Sequence, residues 1–267
     1  MGERQEIMLG RRHLMALGVA AGAGVMVPSM AGASEGRGRP TTEVGRKFQA
    51  DGRVGPFHGN TIVCHIPQQG EHAACFNALL DIYRDLPARP FAANITALPP
   101  SSYHMTLFDG ANETARTAGL WPPGLALDSS IEDCHREVGR RLEGFALDTP
   151  MPIRMRVDTE GTGIAGNALT IPLLPVDDAE NARLRRLRDR LSVATGIRSP
   201  RHDEYRFHIS LAYVLWELSA TQVQAVRQAM GEWMAMVAKA APVILLDAPE
   251  FCTFKDMFAF NRIRYLT

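Results

Sequence analysis

A chain of 267 residues with 46% hydrophobic and 22% charged side chains is long enough to bury a sizeable core. Basic and acidic side chains number 29 each, so the formal charge is zero. Nothing in the global charge therefore argues for a nucleic-acid coat or an anionic membrane surface.

The N-terminal stretch reads as an address rather than as part of the fold. Arg11 and Arg12 precede a small-residue apolar run from Leu14 to Val27, and Ala31-Gly32-Ala33 follows as a cleavage site. This is the pattern of a secretory signal over residues 1–33, of the twin-arginine type. The run is too short and Gly-rich for a good membrane span. Cleavage near Ala33 would leave 26 basic and 27 acidic side chains. The expected location is periplasmic or secreted, with the twin-arginine export machinery as a transient partner and no membrane contact after cleavage. Residues 34–55 are polar and Gly-rich and predict a flexible leader. A single domain is expected over 56–267.

The run "NTIVCHI" (60–66) predicts a strand ending at Pro67, and 71–86 has helical apolar spacing that stops before Pro87. "YHMTLFDG" (103–110) predicts a strand closed by a turn. Residues 130–145 predict an amphipathic helix capped by Ser129 or Ser130. Strands are predicted at 152–158 and 167–173, separated by "GTGIAG" (161–166), a hairpin turn and not a nucleotide loop, because no helix follows it. A helix at 178–196 carries Arg183, Arg185, Arg186, Arg188 and Arg190, expected as a solvated face paired with Glu180 and Asp189. A strand at 206–214, a long helix at 219–239 and two or three short C-terminal strands complete the order. The resulting class is α+β, pictured as a bilobal duplicated fold of two antiparallel sheets backed by helices.

Cys64, Cys75, Cys134 and Cys252 do not have the spacing of a stapled scaffold, and a domain of this size needs no staple. Export folded favours reduced, buried thiols; Cys64 with Cys75 is the pair to test for a disulfide. "CHIPQQGEHAAC" (64–75) is a weak zinc candidate, since Cys64 and His65 are adjacent on a strand and face opposite ways. The one G-x-S-x-G match, "GASEG" (32–36), lies where the predicted signal ends and not in a strand-to-helix turn, so no serine nucleophile sits in the expected context.

The informative feature is a repeated pair. Side chains two apart on a strand share a face. His104 and Thr106 therefore look one way, while Tyr103, Met105 and Leu107 look the other. In "FHISLAY" (207–213), His208 and Ser210 share a face opposite Phe207, Ile209 and Leu211. Chance would supply fewer than one His-x-Ser/Thr match in a chain with 8 histidines, and these two also share a preceding aromatic and a following Leu. The bland account is a half-buried histidine satisfied by a neighbouring hydroxyl. Duplicated polar faces on apolar strands are costly to leave idle, which favours use.

Two such motifs, separated by most of a domain, resemble those of the two-histidine (2H) phosphoesterases, which include 2′-5′ RNA ligase-like proteins and cyclic nucleotide phosphodiesterases. "GNTIVCHI" before a helix and "YHMTLFDG" after it are most similar to the bacterial domain-of-unknown-function family 1868, a subgroup that carries over no substrate. The resemblance covers about residues 55–265 and implies the two motifs lining a central groove. It implies His104 and His208 as the catalytic pair and Thr106 and Ser210 as phosphate-holding hydroxyls. Two imidazoles suit phosphodiester cleavage, because a pKa near 6.5 lets one be neutral and the other protonated. Hydroxyls can hold the non-bridging oxygens.

Tyr103, Tyr205 and Tyr213 are candidates for stacking on a base, with Tyr213 expected on the Ser210 face if its strand stays regular. No metal or cofactor is expected. The expected activity is hydrolysis of a 2′,3′-cyclic phosphate, or of another small nucleotide or RNA-end phosphodiester, by a monomer with no stable nucleic-acid complex. The alternative is a non-catalytic exported binder of a phosphorylated ligand in the same groove.

Overall fold

The structure is a computed structural model and describes residues 38–267. The predicted signal (1–33) and the first residues of the predicted leader lie outside the described residues. In chain order the elements are β1 (Gly59–His65), α1 (Ala74–Asp85), β2 (Ile95–Ala97), β3 (His104–Asn112), α2 (Ile131–Arg141), β4 (Ile153–Val157), β5 (Ile164–Ala165), β6 (Ala168–Pro175), α3 (Asp178–Thr195), β7 (His208–Val214), α4 (Ala220–Ala240), β8 (Ile244–Leu246), β9 (Glu250–Phe254) and β10 (Asn261–Tyr265).

Local chemistry accounts for several boundaries. Ser130 caps α2 by accepting from the Asp133 amide at 3.0 Å, and Ser219 closes a capping box with Gln222 on α4. α3 ends at Gly196, which takes the left-handed φ of 74° that side-chain-bearing residues resist.

The class is α+β, as the pattern predicts. Pairing joins the strands into one antiparallel path, β10-β9-β1-β3-β7-β6-β4-β8, with β2 added to β7 and β5 to β6. The sheet curls as a half-barrel. Two separate sheets were expected; instead the halves meet at a narrow seam where Met105 of β3 opposes Ile209 of β7. Met105, Leu107, Ile209 and Leu211 are fully buried in the core with Leu79 and Ile82 of α1, Leu184 and Leu187 of α3, and Ala229 and Met230 of α4. The odd-numbered side chains at the seam thus belong to the core, leaving His104, Thr106, His208 and Ser210 to the other face.

The expected flexible leader is, over residues 38–55, a packed arm. The Thr41 amide donates to the Leu215 carbonyl at 2.8 Å, and its hydroxyl donates to the Val214 carbonyl at 2.7 Å. Phe48 is buried, its ring 5.2 Å from that of Tyr213 and 6.3 Å from that of Phe258. Gly45 and Gly52 have φ of 79° and 87°, so here glycine serves tight turns rather than looseness. Gly110, read as part of a turn, lies inside β3. A Cβ there would collide with the carbonyl and side-chain oxygens of Asn60. Among the described residues no helix is long and apolar enough to cross a membrane.

Candidate active site

The seam sets the geometry of the two motifs. Because Met105 opposes Ile209 in an antiparallel pair, one step to either side sets His104 against Ser210 and Thr106 against His208. Each imidazole therefore neighbours the other motif's hydroxyl, and the two histidines occupy a diagonal, about 7–8 Å between backbone positions. All four residues line one cavity of about 310 Å³. The central expectation, two distant motifs facing a shared space, is where the structure places them.

Both rings are held the same way. His104 Nδ1 lies 2.7 Å from the Ser102 carbonyl oxygen, and His208 Nδ1 lies 2.9 Å from that of Arg206. A carbonyl oxygen only accepts, so each Nδ1 carries the proton and each Nε2 is left for chemistry. Burial pushes the His104 imidazole down to about 3. The neighbouring His65 and His208 act in the same direction, and the bond to Ser102 acts against them. His104 is thus neutral at physiological pH, with a lone pair on Nε2. The ring of Phe260 stands edge-on to it at 4.3 Å.

A bulge follows each hydroxyl. Along β1–β3 the register passes from Val63↔Thr106 to Ile62↔Phe108, and along β6–β7 from Thr170↔Ser210 to Leu169↔Ala212. Leu107 and Leu211 are the extra residues, and each reverses the alternation beyond it. Asp109 and Tyr213, three places past the hydroxyls, consequently reach the cavity wall. Tyr213 lines the cavity as expected, but for the opposite reason: a regular strand would have turned it away from Ser210.

Tyr205 also lines the cavity, its hydroxyl beside Thr106. Tyr103 does not. It is buried in the core, where burial pushes its phenol up and its hydroxyl has no hydrogen-bond partner among the described residues.

The supposedly solvated face of α3 includes one of the largest buried side chains, Arg188. Its guanidinium donates to the carbonyl of the bulged Leu107 and, at 3.3 Å, to that of His202, and lies 4.0 Å from the centre of the Tyr205 ring. Arg188 thus holds both the first bulge and the tyrosine beside Thr106. Arg190 likewise donates to the Leu147 carbonyl at 2.9 Å, whereas Arg183 does pair with Glu180. The basic composition of the helix does not single out Arg188; its helical spacing from the buried Leu184 and Leu191 is the available signal.

Sequence reasoning also missed the cations of the arm. Arg46 and Lys47 line the same cavity, on the segment read as a leader. His65, weighed from the sequence only as a zinc ligand, opposes His104 across β1–β3, with ring centres 6.1 Å apart, and bonds Glu250 through Nδ1 at 3.1 Å.

Among the described residues, two groups bring metal-ligating atoms within 4.8 Å: His65, Glu250 and Cys252, and Asp189, His202 and Asp203. Each already holds a competing cation, Arg262 at 3.5 Å from Glu250 and Arg198 on both aspartates. The 64–75 zinc candidate is not assembled, since His65 turns to Glu250 while Cys64 and Cys75 enter the core. All four cysteines are free and buried, and burial pushes the Cys75 and Cys252 thiols up to about 12.

Residues 47–164 match the family model described as 2H-phosphodiest, Domain of unknown function (DUF1868). No curated protein matches the chain. Among solved structures, the chain is similar to the conserved protein of unknown function ATU0111 from Agrobacterium tumefaciens str. C58. Identity is 28% and the TM-score 0.76, over 88% of this chain and 97% of that one. The matched stretch holds the first histidine motif and begins at Lys47, while the second motif lies beyond it. The resemblance read from the histidine strands is thus met by a family-model match over residues 47–164, and the label of that model supports a phosphoesterase-type enzyme.

Proposed function

We propose that the protein is a metal-independent phosphodiesterase that hydrolyses a 2′,3′-cyclic phosphate or a related small nucleotide or RNA-end phosphodiester. The observation that carries this reading is the diagonal of two imidazoles with Nε2 available on both, crossed by a diagonal of two hydroxyls, in one cavity.

The division of labour follows from burial. Neutral His104 takes a proton from the attacking water through Nε2 as the water oxygen bonds to phosphorus. His208, in its protonated form, gives its Nε2 proton to the ester oxygen as the P–O bond breaks. Thr106 and Ser210 donate to the non-bridging oxygens, where charge accumulates. Proton exchange with solvent then restores both rings. Aromatic side chains of the wall, Phe57, Tyr205, Tyr213, Phe254 and Phe260, suit the apolar body of a nucleoside. Removal of the signal near Ala33 would deliver this activity to the periplasm.

The test is turnover of cyclic phosphates by the purified full-length chain in EDTA. His104→Ala and His208→Ala are each expected to lower kcat by about 10²–10⁴-fold. Binding of a nucleotide without turnover would identify the groove as a non-catalytic phosphate site instead.

A further inference from the structure

The two motif strands correspond position by position up to the residues that follow the bulges, and there the correspondence ends. One place is taken by Asp109 and the other by Tyr213. Tyr213 is capped by a cation: Lys47 Nζ donates to its hydroxyl at 3.2 Å and lies 4.4 Å from its ring centre. Arg46 lines the cavity beside it, and both cations flank the Phe57 ring, at 5.2 and 5.3 Å.

The buried Glu43 anchors this pair. It accepts from Arg46 Nη1 on both oxygens, at 3.0 and 2.9 Å, and lies 3.5 Å from Lys47 Nζ. One carboxylate against two cations leaves the arm side of the cavity net positive. Asp109 puts a carboxylate at the position that corresponds to Tyr213 on the other strand.

A phosphodiester is nearly symmetric about phosphorus, and so is the square of histidines and hydroxyls. That square alone does not decide which ester oxygen faces His208. The charges outside it do, provided the substrate carries a second charge. We infer that Arg46 and Lys47 bind a second anionic group of the substrate, a phosphate separated from the reacting diester by the apolar body that the aromatic wall receives. This fixes the orientation in which the diester is cut. The substrate class is then a nucleoside cyclic phosphate bearing another phosphate at its far end, such as the 5′ position. The inference rests on the cavity being the phosphodiester site.

The test compares binding of a nucleoside 3′-monophosphate and the matching 3′,5′-bisphosphate to the full-length chain by calorimetry, alongside turnover of the corresponding cyclic compounds. The wild type is expected to bind the bisphosphate about tenfold more tightly, the range of one charge-assisted contact. Lys47→Met should bring the ratio close to one, with the cost falling on KM of the doubly charged cyclic compound. Lys47→Arg should keep the preference, and it serves if the Met variant melts early. Equal wild-type affinities, or a preference that survives Lys47→Met, would overturn the inference and leave Lys47 as an anchor of the arm alone. A clear bisphosphate preference with no turnover of any cyclic phosphate would support the anion subsite and sink the phosphodiesterase reading.

Discussion

His104 is the residue on which the chemistry turns, and its environment makes it a base rather than an acid. Burial depresses its pKa to about 3, so kcat/KM should hold between pH 7 and 5 on the limb that reports the base. A tenfold fall by pH 5.5, attributable to His104, would show an ordinary imidazole and contradict the assignment. The same shift acts on stability. Between pH 6.5 and about 3 the unfolded chain takes up a proton that the folded chain refuses, so stability is full above 6.5 and declines as the pH falls through that window. Urea unfolding at pH 7 and 4.5 should show a smaller acid loss for His104→Gln than for the wild type. Thr106→Val and Ser210→Ala, which remove donors to the non-bridging oxygens, should each lower kcat by about 10²-fold with the imidazoles intact. The two histidines and two hydroxyls were legible because strand alternation separates polar from apolar at every second residue. Arg188 was not, because a cation that satisfies a bulge carbonyl resembles any other cation on a basic helix.

Among the elements, the bulges at Leu107 and Leu211 show what a single sequence conceals. An inserted residue in a ladder leaves the local composition unchanged, yet it decides that Asp109 and Tyr213 face the cavity. Gly110 is the matching requirement, as β3 there runs against Asn60. Gly110→Ala should destabilise the fold by about 1–3 kcal/mol, as overpacking does, read by thermal or denaturant unfolding. The arm was misread because Gly45, Gly52 and many polar residues mimic a linker, while its anchors, among them Phe48 in the core and Thr41 on Val214 and Leu215, make no local pattern. Phe48→Ala should cost about 3–5 kcal/mol and loosen Tyr213 and Lys47 with it. A melting temperature unchanged in that variant would mean that the arm is dispensable.

Across the whole molecule, the predicted helices and strands appear in the predicted order because caps and alternation are local signals; the short β2, and β5 inside the predicted hairpin turn, are additions. How the halves join was not local. One opposed pair at the seam, Met105 with Ile209, converts two expected sheets into one continuous path. That same pair sets the imidazoles on their diagonal, so the architecture and the proposed catalyst share one cause. The measurement that bears most directly on this account is turnover of a nucleoside 2′,3′-cyclic phosphate by the EDTA-treated full-length chain, with His104→Ala and His208→Ala beside it. The account predicts activity that survives the chelator and is lost in both variants, each still folded. Activity that vanishes with EDTA, or that persists in either variant, would contradict it.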